Sequence, residues 1–148
     1  MQTLSARLLI ICAALLLTAA QATAHCEIPC GIYDDALRIQ MILEDVTTIE
    51  KSMNQIVFHQ KEKDHNANQL VRWIMNKEQH ADKIQEVVSQ YFMTQRIKPG
   101  MEHYQVMLGH LHEMLVFAMK CKQTTDLENP QKLRELVGQF EKVYFQKE

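Results

Sequence analysis

Residues that break helices are scarce in this chain. Its 148 residues include four glycines and three prolines, and neither type occurs between Ile32 and Lys98. No segment alternates apolar and polar residues over the length that a half-buried strand requires. The length is that of one domain, and the lack of strand and turn signals predicts that this domain is all-α.

Two further absences limit the function. The chain has 16 basic and 18 acidic residues, a formal net charge of −2, and its basic residues form no stripe of the kind that binds nucleic acid. After the first 24 residues, no segment is apolar enough to span a membrane. We therefore expect neither a nucleic-acid partner nor a membrane partner for the mature chain.

The N-terminal segment lacks acidic residues and carries one basic residue, Arg7. An apolar run at residues 8–17 and an A-x-A site at residues 22–24 follow it. This order is typical of a secretory signal peptide. A membrane anchor or core helix is the alternative, but the run is short for a hydrocarbon layer of about 30 Å. We expect residues 1–24 to be removed and residues 25–148 to be exported, to the periplasm or the extracellular space.

The spacing of apolar residues predicts four helices. The first covers residues 34–59, the second residues 65–93 and the third residues 101–122. The fourth begins at Asn129, which is predicted to cap the helix, with Pro130 at the first helical position. Four amphipathic helices with short connections predict an up-down four-helix bundle.

Two of the predicted apolar stripes can be checked residue by residue. On the first helix, apolar residues recur at alternating steps of three and four and form one face. They are Ile39, Ile42, Val46, Ile49, Met53 and Ile56. On the second helix, the residues expected to face inward are Ala67, Leu70, Ile74, Ala81, Ile84, Val88 and Tyr91.

The segment His25–Tyr33, which reads HCEIPCGIY, precedes the first predicted helix and has no apolar periodicity. Once the leader is removed, the cysteines that remain are Cys26, Cys30 and Cys121. Three cysteines do not all pair within one exported chain. A Cys26–Cys30 disulfide is one interpretation, and two thiolates on a metal ion is the other. Cys121 is predicted to be a buried thiol.

A newly formed N-terminus offers ligands that an internal segment lacks. The α-amine of His25 has a reference pKa of about 7.7–8.0, so a metal ion displaces its proton easily. A metal bound to this amine, to the Cys26 amide nitrogen and to the Cys26 sulfur closes two five-membered rings. A turn at residues 28–31 returns Cys30 to the fourth position, since proline stiffens the chain and glycine permits a positive φ. A cis Ile28–Pro29 bond fits such a turn.

The ligand set that results is a plane of two nitrogens and two sulfurs, with the His25 ring left for an axial position. Planar sets of this kind suit Ni(II) or Cu(II), whereas four-coordinate zinc prefers a tetrahedron. Two thiolates tend to reduce Cu(II), which favours nickel. Anionic amide and thiolate donors stabilise a higher oxidation state, and a Ni(II)/Ni(III) couple follows as a hypothesis.

The pattern H-C-x-x-P-C-G-x-Y at a mature N-terminus resembles the nickel hook of the nickel superoxide dismutase family. All six fixed positions are present. They are His25, Cys26, Pro29, Cys30, Gly31 and Tyr33. The stretches KEQ at residues 77–79 and S-x-Y-F at residues 89–92 are also similar to the family's second helix. The family's body is a four-helix bundle, which the apolar periodicity predicts independently.

The resemblance implies an enzyme that converts superoxide to oxygen and hydrogen peroxide at one nickel ion per chain. The implied ligands are the amine and ring of His25, the amide and sulfur of Cys26, and the sulfur of Cys30. Tyr33 is implied to control access to the metal and Tyr91 to lie near it, although Tyr91 also fits a simple core position. The family resemblance further implies a homohexamer in which a neighbouring subunit partly covers each hook.

The chain departs from the family pattern at three positions. Glu27 stands where the best-known members have aspartate. Gln40 and His80 stand near the places of a carboxylate and an arginine that brace the axial histidine. Glutamine and histidine side chains also hydrogen-bond an imidazole, so a bracing role for this pair is an open expectation.

Two other functions remain open from the sequence. One is an exported four-helix protein that binds nickel or copper without turnover. The other is a structural bundle closed by a disulfide, without a metal ion. Counting thiols in the metal-free protein separates the disulfide-closed bundle from the two metal proteins. An activity assay with and without nickel separates the enzyme from the metal carrier.

Overall fold

A computed structural model describes residues 27–61 and 66–146, and within these ranges it contains helices and no strand. The helices are α1 (Asp35–Lys61), α2 (Ala67–Glu86), α3 (Tyr104–Gln123) and α4 (Glu128–Phe145). A π-helical segment, Val87–Arg96, continues α2 without interruption. Helix α1 packs on α2 and α4, and α3 packs on the same two helices. The predicted all-α four-helix bundle is therefore confirmed.

The inward face of α1 is the one that the sequence predicts. All six residues of its apolar stripe are buried. At one end of the bundle the core is aromatic, with the rings of Phe92 and Phe140 at 5.0 Å and those of Phe92 and Tyr144 at 5.6 Å. None of the helices in the described ranges is both long and apolar enough to cross a membrane.

The prediction for the first turns of α2 is wrong. Ala67 and Ile74 are exposed, and the buried side of this helix begins at Lys77. Lys77 lies level with the last turn of α3, because its amino group donates hydrogen bonds to the carbonyls of Cys121 and Lys122. The turns of α2 that precede Lys77 therefore extend past the end of α3, and their apolar side chains lack a second helix to pack against.

The start of α4 also differs from the prediction. The helix begins at Glu128, whose backbone N–H donates to the Asp126 carboxylate at 3.0 Å. Asn129 is already helical, and its side chain donates to the Thr124 hydroxyl at 3.2 Å. Pro130 is thus the third helical residue rather than the first. Proline is tolerated there because the N–H groups of a first turn have no acceptor within the helix.

A buried amino group closes the end of α3. The Lys77 side chain is buried, and besides the two carbonyls it contacts the Glu78 carboxylate at 2.9 Å. The last carbonyls of a helix have no partner within the helix, so this amino group satisfies two acceptors that are otherwise unpaired. Cys121 is fully buried, as predicted, and burial raises the pKa of its thiol to about 12.

Replacing Lys77 tests this contact. We expect Lys77→Met to lower the free energy of unfolding by roughly 2–3 kcal/mol, because it leaves two carbonyls unpaired while keeping most of the side-chain volume. The matched control is Lys83→Met on the exposed side of the same helix, with an expected change within about 0.5 kcal/mol. Urea unfolding followed by circular dichroism measures both variants. Equal midpoints for the two would contradict the assignment.

Candidate metal centre

Of the predicted hook, residues 25–33, the structure describes residues 27–33. Residues 28–31 form a turn, with a cis bond between Ile28 and Pro29 and with Gly31 at φ +77°. Cys30 lies in this turn and is exposed. The predicted turn and its cis bond are thus confirmed. His25 and Cys26 lie outside the described residues, so the return of Cys30 toward them stays a prediction.

Helix α1 begins with two aspartates that have different roles. The Asp34 carboxylate accepts a hydrogen bond from the Leu37 N–H at 3.0 Å and so caps the helix. This cap leaves the Asp35 side chain available for tertiary contacts. Placed on the first turn, the Asp35 carboxylate also interacts favourably with the positive end of the helix dipole.

The Asp35 carboxylate accepts four hydrogen bonds from three residues, and we call these four residues the Asp35 cluster. The hydroxyls of Tyr91 and Tyr144 donate at 2.6 and 2.8 Å. The Arg96 guanidinium donates through Nε at 2.8 Å and through Nη2 at 2.7 Å, one to each carboxylate oxygen. The cluster therefore joins the start of α1 to the π-helical segment and to α4.

The π-helical geometry is what brings Tyr91 and Arg96 to the same carboxylate. Residues five apart point in different directions on an α-helix, which has 3.6 residues per turn. In a π-helix the hydrogen bonds join residues five apart, so such residues lie one above the other. The Ile97 N–H donates to the Phe92 carbonyl at 2.9 Å and the Thr94 hydroxyl to the Ser89 carbonyl at 2.8 Å, both in this register.

Burial and charge pairing shift the pKa values of the Asp35 cluster. Burial alone raises the pKa of Asp35, but the hydrogen bonds from Arg96, Tyr91 and Tyr144 outweigh it and hold that pKa below the usual value. Burial, followed by the bond to the carboxylate, raises the pKa of Tyr144 to about 12. The same causes raise the pKa of Tyr91, and the bond to Asp35 raises the pKa of Arg96. At neutral pH the cluster thus holds one carboxylate, one guanidinium and two neutral phenols.

The two tyrosines named from the sequence lie side by side. The ring centroids of Tyr33 and Tyr91 are 5.8 Å apart in an edge-to-face contact. Tyr33 is 39% exposed, whereas Tyr91 is 4% exposed and also packs edge-to-face on Phe92. Tyr91 is therefore a core residue that also contacts Tyr33, and its place near the metal stays a prediction.

Two arginines lie over these rings. The guanidinium carbon of Arg96 is 4.2 Å from the centroid of Tyr33, and that of Arg38 is 5.0 Å from the centroid of Tyr91. Cation–π contacts at such distances are attractive. Arg38 has no ion pair within the part of the chain that the structure describes. Two guanidinium groups and two aromatic rings therefore lie in contact near the start of α1.

The family model for nickel-containing superoxide dismutase matches residues 20–148. The chain belongs to the nickel superoxide dismutase family. It is an enzyme that converts superoxide to oxygen and hydrogen peroxide and uses nickel as its cofactor. No curated protein and no solved structure matches the chain.

The donor chemistry of the chain fits nickel. Cys30 provides an exposed thiol in a turn, and thiolate sulfur together with nitrogen donors suits a planar Ni(II) site. Within residues 27–61 and 66–146, no three His, Cys, Asp or Glu side chains cluster as they do around a metal ion.

The bracing of the His25 imidazole by Gln40 and His80 stays a prediction, because His25 lies outside the described residues. Gln40 is exposed on α1. A hydrogen bond of 2.5 Å joins His80 Nδ1 to the Asp45 carboxylate, also on α1. A carboxylate partner of this kind fixes the orientation of an imidazole. Asp45 is a partner that the apolar periodicity does not identify, and the available signal is a carboxylate directly beside the apolar stripe of α1.

Sequence reasoning missed three members of the Asp35 cluster. The spacing of apolar residues does not indicate a polar cluster at Asp35 and Tyr144. Arg96 was placed beyond the end of the second helix, which was predicted at residue 93. The adjacent acidic residues 34 and 35 were the available signal, because one cap requires only one carboxylate.

The pKa shift of Asp35 predicts an acid-dependent loss of stability. Its folded pKa lies below the value of about 3.9 in an unfolded chain. The cluster therefore stabilises the fold fully above about pH 4, and this contribution decreases as the pH falls through the folded pKa. We expect the difference in urea midpoint between the unmodified protein and Asp35→Asn to shrink from pH 7 to pH 2.5. Glu113→Gln, at an exposed position, is the control, and a difference independent of pH would refute the account.

Proposed function

We propose that superoxide dismutation takes place at a nickel ion held by the N-terminus that forms when residues 1–24 are removed. The ligands are the amine and imidazole of His25, the amide nitrogen and sulfur of Cys26, and the sulfur of Cys30. The observation that carries this proposal is the exposed thiol of Cys30 in the turn at residues 28–31, within the stretch that the family model matches. Bound there, nickel supplies a one-electron Ni(II)/Ni(III) couple.

In this proposal, Tyr33 controls the access of substrate to the metal. Its partial exposure leaves the ring accessible, and its contact with Tyr91 limits the directions it can take. The Tyr33 hydroxyl positions superoxide or an ordered water, and the ring keeps larger oxidants away from the thiolates of Cys26 and Cys30. Protection of this kind is needed because exposed thiolates oxidise stepwise to forms that no longer bind metal.

Tyr91 has a supporting role in the proposed site. Its hydroxyl donates to Asp35, and its ring edge lies against Tyr33. Arg38, which lies over the Tyr91 ring and has no ion pair among the described residues, supplies local positive charge. Superoxide is a small anion, and positive potential beside a site raises the rate at which such a substrate arrives.

We further propose that the mature protein is exported to the periplasm or the extracellular space and forms a homohexamer. Export is supported by the pattern of the first 24 residues, and the hexamer by the family to which the chain belongs. The expected partners are superoxide and further copies of the chain, with no nucleic acid and no membrane after cleavage.

The cysteine ligands are tested by substitution. We expect Cys26→Ser and Cys30→Ser to lose nickel and superoxide-dismutating activity together, because a hydroxyl replaces a thiolate ligand. The third cysteine of the mature chain is the control: Cys121→Ala is expected to keep about one nickel per chain and most of the activity. Metal analysis, an activity assay and circular dichroism are measured on each variant. Full activity in either serine variant would exclude the ligand set.

The amine ligand is tested by extending the chain. A variant with one glycine placed ahead of His25 in the mature protein moves the free amine away from the imidazole and thiolates, and we expect it to retain no activity. The intact mass of the unmodified protein is expected to begin at His25. An extended protein that still dismutates superoxide at the normal rate would show that the amine is not a ligand.

A further inference from the structure

Among the described residues, Tyr33 makes its contacts through its ring. One contact is the Arg96 guanidinium over its face at 4.2 Å, and the other is the edge of Tyr91 at 5.8 Å. The hydroxyl of Tyr33 makes no hydrogen bond to the rest of the described chain. Tyr91 and Tyr144 differ in this respect, since each donates its hydroxyl proton to Asp35.

Arg96 is itself fixed in orientation. Its guanidinium donates to both oxygens of Asp35, at 2.8 and 2.7 Å. A guanidinium is planar, and its N–H bonds lie in that plane while its two faces carry none. The same group can therefore bind a carboxylate at its edge and stack an aromatic ring on its face. A two-bond pair with a carboxylate also sets the direction of that face.

We propose that Arg96 is a positioning residue that fixes the ring of Tyr33 at the metal site, with Asp35 fixing Arg96. The inference rests on the proposed function, because it assigns Tyr33 to the path of the substrate. A tyrosine anchored by its ring keeps its hydroxyl available to bind superoxide or water. A tyrosine anchored through its hydroxyl, as Tyr91 is, has already donated its proton to another group.

The alternative role for Arg96 is to attract the anionic substrate by its charge. Arg96 is paired with a carboxylate, so the pair as a whole carries little net charge. A lysine at position 96 separates the two roles, because it keeps the positive charge but lacks a flat face and a two-bond edge. If Arg96 positions Tyr33, Arg96→Lys lowers kcat/KM. If Arg96 acts only through its charge, Arg96→Lys leaves kcat/KM unchanged.

The first readout does not depend on turnover. The chain has four tyrosines, at positions 33, 91, 104 and 144. Replacing them with 3-fluorotyrosine allows ¹⁹F NMR of the reduced, nickel-loaded protein. The Tyr33 resonance is assigned by its loss in Tyr33→Phe. In Arg96→Lys we expect this resonance to narrow and move toward the position of an exposed, mobile fluorotyrosine, with the Tyr104 resonance unchanged.

The second readout is activity together with nickel content. In Arg96→Lys we expect kcat/KM to fall roughly two- to thirty-fold, the range that a cation–π contact corresponds to. Nickel is expected to remain at about one ion per chain, and the salt dependence of kcat/KM to remain that of the unmodified protein, since the charge is kept. If Arg96→Lys does not fold, Arg96→Gln replaces it in the test. We expect the Tyr33 ring to become mobile in Arg96→Gln as well.

The matched control is Arg134→Lys. It makes the same substitution at an arginine whose side chain donates to Glu50 and Thr47 and which lies outside the Asp35 cluster. We expect its Tyr33 resonance and kcat/KM to match those of the unmodified protein. An unchanged Tyr33 resonance in both Arg96 variants overturns the proposal. A loss of nickel in Arg96→Lys, or an equal effect in Arg134→Lys, also overturns it.

The test separates this inference from the proposed function. If the hook is not the metal site, Cys30→Ser retains nickel and activity, whatever the Arg96 variants do. If only the inference is wrong, Cys30→Ser loses both while Arg96→Lys leaves Tyr33 and the rate unchanged.

Discussion

The hydrogen bonds to the Asp35 carboxylate hold together the end of the bundle at which α1 begins. These four hydrogen bonds come from residues 56, 61 and 109 positions away along the chain. A partly buried carboxylate without such donors is costly, and here four donors compensate for the burial. The pair with Arg96 and the two tyrosine hydroxyls therefore fix the start of α1 against the π-helical segment and α4. That start lies directly after the segment that carries the predicted metal ligands.

The π-helical segment gives this constraint its geometry. Its residues Tyr91 and Arg96 share one carboxylate because they are five apart in a helix whose hydrogen bonds also join residues five apart. An α-helical continuation of α2 turns Arg96 away from Asp35, and with it away from Tyr33. π-Helical turns inside longer helices are frequent at functional sites. In this protein the turn places an aromatic contact and a cationic contact around the same exposed tyrosine.

Much of the fold follows from local rules, and the exceptions have physical causes. The stripe of α1 is predicted correctly because its residues pack against helices along its whole length. The prediction for α2 is wrong before Lys77 because periodicity does not show where a neighbouring helix ends. Pro130 marks the first turn of α4 but not its first residue, since the whole first turn accepts proline. The hook motif and the two tyrosines were readable as a pattern. The role of Arg96 was not predictable, because the spacing of apolar residues does not indicate a change from α- to π-helical hydrogen bonding.

In the proposed enzyme, the N-terminal segment and the helical bundle make different contributions. In the proposed site, three residues within the short segment from His25 to Cys30 supply every metal ligand, including a backbone nitrogen and an amine that proteolysis creates. The bundle then has no need to supply a ligand, and the described helices contain no cluster that binds a metal ion. Within the described bundle, Asp35, Arg96 and Tyr91 orient the ring of Tyr33, the residue that the proposed function assigns to the path of the substrate. Because the two contributions are chemically independent, the retention of nickel and the rate of dismutation should respond to different substitutions.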